Sequence, residues 1–128
     1  MRSRIFVGTL LMVGMFGAAL VAHNGATRHS SIINLLDPVL VKGEMIMGPV
    51  LIVHDDLKMA KGEACTTFYR FDVKTGPQEA LVSFHCQPIE RRVVAETTLT
   101  TSSQGSGCKR LVEYQIGGDS EAHGVPAR

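Results

Sequence analysis

From Val39 onward, short apolar runs rich in Val, Ile, Thr, Tyr and Phe alternate with Gly, Pro, Asp and Ser, the signature of strands divided by turns. Six strands are expected: Val39 to Met47, Val50 to His54, Cys65 to Val73, Ala80 to Gln87, Val93 to Thr101 and Arg110 to Ile116. Helical periodicity is confined to DDLKMAKG, where Asp55 can cap a short helix that Gly62 ends. Residues 23–38 are polar and then briefly apolar, and Pro38 discourages a helix at Asp37, so this stretch reads as a linker with at most one helical turn. Gly117 to Arg128 reads as a polar tail. No repeat and no low-complexity segment interrupts the pattern.

Two hairpins follow from pairing apolar faces. With a loop over Lys74 to Pro77, Phe71 opposes Ala80, Tyr69 opposes Val82, Thr67 opposes Phe84 and Cys65 opposes Cys86. With a loop over Ser102 to Gly107, Thr97 opposes Val112, Ala95 opposes Tyr114 and Val93 opposes Ile116, with Cys108 on the same face. All three cysteines then point inward. The expected fold is all-β, a small antiparallel meander of five to six strands closed as a barrel or folded as a sandwich.

The first 22 residues differ from the rest. Arg2 and Arg4 precede an uncharged apolar run from Ile5 to Ala22, the order of parts in a bacterial secretory signal, with small residues at Gly17 and Ala19 for cleavage. Eighteen apolar residues also reach the lower edge of what spans a bilayer, so an uncleaved anchor is the alternative. The division expected is 1–22 signal or anchor, 23–38 linker, 39–117 β-domain and 118–128 tail. Either reading of the first segment places the domain in a periplasmic or secreted, oxidising space, and contact with a membrane follows only if residues 5–22 are retained.

A chain of 128 residues holds one core at most. Without residues 1–22 it has 11 basic and 12 acidic side chains, net −1, and this balance gives no reason to expect nucleic acid as a partner. There is no Trp, and Phe6 and Phe16 fall in the apolar segment, which leaves few platforms for stacking bases or sugars.

Three cysteines in an exported chain leave one thiol over. Cys65 with Cys86 is the favoured disulfide. A pair involving Cys108, or three free thiols, are the alternatives. There is no C-x-x-C spacing for redox catalysis, no G-x-S-x-G turn and no Gly-rich phosphate loop, so the reading leans away from an enzyme. Met45, Met47 and His54 offer thioether and imidazole donors suited to Cu(I), although the methionines serve equally as core filling and the His-Asp-Asp triplet as a solvated turn. His123 beside Glu121 is read as a lone tail histidine. The leading expectation is a non-enzymatic binding or structural module of the cell envelope, without cofactor and with an envelope or extracellular partner. A periplasmic copper handler is the alternative.

Overall fold

The structure, a computed structural model, describes residues 27–103, 105 and 107–128. The apolar run of residues 5–22, expected to act as a signal or anchor, therefore lies outside the described residues. Eight strands form one open mixed sheet: β1 (Arg28–Val41), β2 (Glu44–Asp55), β3 (Thr66–Asp72), β4 (Gly76–Phe84), β5 (Gln87–Glu90), β6 (Thr98–Ser103), β7 (Lys109–Gln115) and β8 (Glu121–Gly124). A single short helix, α1 (Asp56–Ala60), follows β2 among the described residues. The all-β class is as expected. The strand order is not a meander, because it runs β4-β3-β2-β1-β7-β8-β5 with β6 beside β7, and β1 pairs β7 in parallel through Val39 with Lys109 and Leu40 with Arg110.

Residues 28–38 of the expected linker belong to the longest strand, β1. Along β1, His29, Ser31, Ile33 and Leu35 turn inward while their neighbours face solvent. Two of those four are polar, so the alternation carries little hydrophobic signal. Pro38 does not end the strand because it sits in a bulge between Leu35 and Val39, where a missing N–H leaves no ladder bond unmade. The stretch expected as one strand, Val39 to Met47, is split by a two-residue turn at Lys42 and Gly43, whose φ of 49° and 83° match the primed turn that suits a tight hairpin.

Both expected registers are displaced. In the β3–β4 hairpin Thr66 faces Phe84 and Phe68 faces Val82, so Thr66 and Phe68 turn into the core and Phe71 is only half-buried. The cause is the turn. Asp72 Oδ1 accepts from the Lys74 and Thr75 amides at 2.8 and 3.0 Å, and Gly76 takes φ of 85°, which closes the loop before Pro77. Two bulges on β4 then absorb the difference. The β6–β7 hairpin pairs Leu99 with Tyr114 and Thr98 with Gln115, and Val93 is exposed, outside any strand. A bulge near Thr101 brings Leu111 and Tyr114, three residues apart, to the same face. The segment read as a polar tail contains β8, with Ala122, His123 and Val125 buried.

These bulges curl the sheet until its inner faces meet. Phe68 on β3 lies edge-on to Tyr114 on β7 with ring centroids 6.0 Å apart, although β2 and β1 stand between those strands in the sheet. Thr66 Oγ1 and the Tyr114 hydroxyl close the same gap with a hydrogen bond. The core cluster of Val41, Ile46, Ile52, Phe68, Phe84 and Leu111 fills the concave side.

Candidate metal centre

At one end of this concavity, β2, β3, β8 and the segment after β4 converge. His54 is the last inward residue of β2, continuing the face of Ile46, Val50 and Ile52. Cys65 precedes β3 and is tied down by the Asp55 amide, which donates to the Cys65 carbonyl at 2.9 Å. Cys86 lies between β4 and β5. One donor atom from each of His54, Cys65 and Cys86 lies within 4.8 Å of the other two, and all three residues are buried.

The cluster has an outer layer. The two sulfurs are 2.8 Å apart, and the Cys86 amide donates to Cys65 Sγ at 3.2 Å. His123 Nδ1 is 3.5 Å from Cys86 Sγ, and the Met59 thioether is 3.9 Å from the same sulfur. The His123 ring stacks on His54 with centroids 3.9 Å apart and packs against Tyr114 on its other side. Asp56 and Met59 share one face of α1, three positions apart, and the cap that starts the helix is the one expected: Asp55 Oδ1 accepts from the Leu57 and Lys58 amides.

His54 is the anomaly. It is 0% exposed, and neither Nδ1 nor Nε2 has a hydrogen-bond partner among the described residues. Asp56 Oδ1 comes within 3.2 Å of Nδ1 without hydrogen-bond alignment. An unsatisfied buried polar group costs about 1–3 kcal/mol, so a retained one needs a reason.

Burial sets the electrostatics. It holds His54 below the usual histidine range, against the opposing pull of Asp56. Burial and the neighbouring His54 bring His123 down to about 4. Both rings are therefore neutral at pH 7, the form that coordinates metal. Burial, reinforced by the hydrogen bond to Cys65, pushes the Cys86 thiol up. A raised thiol with 0% exposure is a poor nucleophile, which argues against a Cys86–His123 catalytic dyad.

Sulfur holds Zn(II) at about 2.3 Å and imidazole at about 2.0 Å, which sets donor separations of roughly 3.5–4 Å round one ion. The present cluster reaches that arrangement if the sulfurs part by about 1 Å. Two thiols, an imidazole and nearby thioether and imidazole groups form a soft donor set, the kind that favours Zn(II) and Cu(I).

Of the residues expected to matter, Cys65 and Cys86 are brought together with both thiols free, and Cys108 is half-buried on its own loop. Contrary to the inward face expected for all three, Cys108 does not join the cluster. His54 is in the centre. Met45 and Met47 are not brought to it: they are 50% and 56% exposed on the outer face of β2, and seven residues of strand put Met47 roughly 23 Å along the chain from His54. Met59 and His123 stand in the cluster although the sequence reading did not count either among the candidate ligands. An i, i+3 pairing of Asp56 with Met59 on the expected helix was the available signal for the first. For His123 there was none, because a four-residue strand in a Gly-rich segment has too short a pattern to read. Comparisons with protein-family models, with curated proteins and with solved structures give no match to this chain.

Proposed function

We propose that this chain is an exported, non-enzymatic module that binds one soft transition-metal ion, Zn(II) or Cu(I), through His54, Cys65 and Cys86. His123 or Met59 completes the coordination. The observation that carries the reading is the buried His54, 0% exposed, with no hydrogen bond at either ring nitrogen, only the Asp56 carboxylate near Nδ1, and two thiols within 4.8 Å. An ion supplies the missing partner, and the soft donor set names its class. Export is supported by Arg2, Arg4 and the uncharged run from Ile5 to Ala22, which puts the centre in a periplasmic or secreted space. The copper-handling alternative drawn from Met45, Met47 and His54 survives with a different sulfur set: Cys65, Cys86 and Met59 in place of the two strand methionines.

A second reading is favoured by the 2.8 Å approach of the sulfurs: Cys65 and Cys86 join as a structural disulfide. That bond removes both thiolates and leaves both His54 ring nitrogens without a hydrogen bond, and for this reason the metal reading is preferred.

The test is direct. Reduced, purified protein is titrated with Zn(II), Co(II) and Cu(I) against competing chelators, and one equivalent of tightly held metal is expected. Co(II) loading should produce thiolate-to-metal charge-transfer absorption. Cys65→Ser and His54→Ala should each abolish stoichiometric binding, while Cys108→Ser and Met47→Leu leave it intact. Full-affinity binding in His54→Ala would overturn the assignment.

A further inference from the structure

A cavity of about 230 Å³ opens beside the buried cluster. Its rim carries His29, Asp56, Asp119 and Glu121, and its floor includes Met59 and His123. No lysine or arginine is among the described lining residues. Met59 and His123 also contact Cys86 Sγ, at 3.9 and 3.5 Å, so the cavity ends where the donor cluster begins. His54, which lies behind this lining and makes no hydrogen bond with either ring nitrogen, has its Nδ1 3.2 Å from the rim carboxylate of Asp56.

The rim is assembled from three distant parts of the chain. His29 comes from β1, Asp56 from α1, and Asp119 and Glu121 from the β7–β8 connection and the first residue of β8. The connection is fixed by Gln115, whose Nε2 donates to the Asp119 carbonyl at 2.8 Å and to the Arg92 carbonyl at 2.7 Å. Its backbone lies so close to Ala95, 2.8 Å from where a Cβ would stand, that only Gly fits at 117. His29 spans the opening, with Nε2 3.1 Å from Asp56 Oδ2 and Nδ1 3.1 Å from Asp119 Oδ2.

We propose that this acidic cavity is the port through which a hydrated cation reaches the thiol-imidazole centre, with His29 as the group it displaces. This inference rests on the metal reading given above. Asp119 and Glu121 attract the cation and replace part of its water. Oxygen donors at the rim, then the thioether of Met59 and the imidazole of His123 at the floor, and last the thiols form a graded series from hard to soft. A Zn(II) or Cu(I) ion is passed inward along that series by ligand exchange, with no change of oxidation state, and the Cys65 and Cys86 thiols release their protons to water as the metal–sulfur bonds form. Focusing of the field by clustered carboxylates in a cleft raises the association rate of a cation by about tenfold or more at low salt.

The test is stopped-flow loading of the reduced full chain with Zn(II), comparing wild type with Asp119→Asn, Glu121→Gln and the double variant, each checked for fold by near-ultraviolet circular dichroism. Expected is association about tenfold slower in the double variant, with the dissociation constant unchanged and much of the salt dependence of the rate lost. Glu121→Gln alone should slow loading by a smaller factor, so the proposal stays testable if Asp119→Asn fails to fold. Unchanged rates in variants that bind normally would overturn the port and leave the centre standing. A weakened dissociation constant at an unchanged association rate would overturn it too, by making the carboxylates ligands. A wild-type protein that takes up no metal would remove the centre and the port together.

Discussion

At the scale of single residues, His54 carries a stability cost that the proposed metal binding would account for. Two unsatisfied ring nitrogens in a closed core are a penalty that an apolar side chain of similar size would not carry. His54→Leu should therefore raise the stability of the reduced, metal-free protein, by about 1 kcal/mol, while eliminating metal binding; urea unfolding in the presence of chelator measures the first and titration the second. A strongly destabilised variant would mean that His54 is satisfied as it stands. The buried rings also set a pH dependence. His123 is held near 4, against 6.5 for an ordinary histidine, so between those limits the unfolded chain binds more protons and stability falls as the pH drops. The ceiling of this effect is about 3 kcal/mol, complete only below pH 4, and the lowered His54 acts in the same sense. His29 acts oppositely. Burial works against its charged form, but the bond to Asp56 and the charge of Asp119 outweigh that and raise its pKa, so its contribution is present in acid and lost as the pH rises through the folded value. It is one partly exposed ring against two buried ones, and the urea midpoint of the metal-free protein should drop between pH 7 and pH 5. A midpoint that holds or climbs would show that the two buried rings accept protons without penalty.

At the scale of elements, the β3–β4 hairpin separates what alternation implies from what turns enforce. Simple alternation from Cys65 puts Tyr69 and Phe71 inward, whereas the Asp72–Gly76 turn and two bulges put Thr66 and Phe68 there. Phe68→Ala should cost about 3–5 kcal/mol, as for a fully buried aromatic, and Phe71→Ala clearly less. Equal losses at the two positions in chemical denaturation would restore the simple register. The same hairpin places Cys65 and Cys86 diagonally at its open end, near enough for two mutually exclusive uses. Non-reducing peptide mapping after air oxidation of the metal-free protein should find Cys65 joined to Cys86 with Cys108 free, and prior loading with Zn(II) should prevent the bond. A bond to Cys108 under either condition would contradict the placement of its loop.

At the scale of the whole molecule, the proposed centre depends on the path of the sheet: His54 on β2, Cys65 just before β3, Cys86 between β4 and β5 and His123 on β8 are each at least 11 residues apart in sequence. Ion binding must displace protons from two buried thiols, of which Cys86 is pushed up, so affinity should fall as the medium is acidified, with a slope approaching two protons per ion. Zn(II) competition titrations between pH 6 and 8 measure it, and a flat profile would mean that the thiols are not ligands. What the chain determined by itself is what local chemistry decides. The β-rich class follows from Val, Ile, Thr and aromatic runs between turn residues, and the α1 cap follows from Asp55 and Gly62. The adjacency of Cys65 and Cys86 was legible too, since any pairing of these two runs brings their outer ends together. Tertiary structure decided the rest. β1 and β8 are strands because neighbours supply their hydrogen bonds, not because His29, Ser31 or the Gly-flanked β8 announce a hydrophobic face. The turns set each register and bulges then changed it along the hairpin, which alternation cannot encode, since one added residue on one strand exchanges the faces beyond it. And His123 met Cys86 across 37 residues through a strand order, β1 between β2 and β7, that is fixed by burial of the whole concave face and by no local signal.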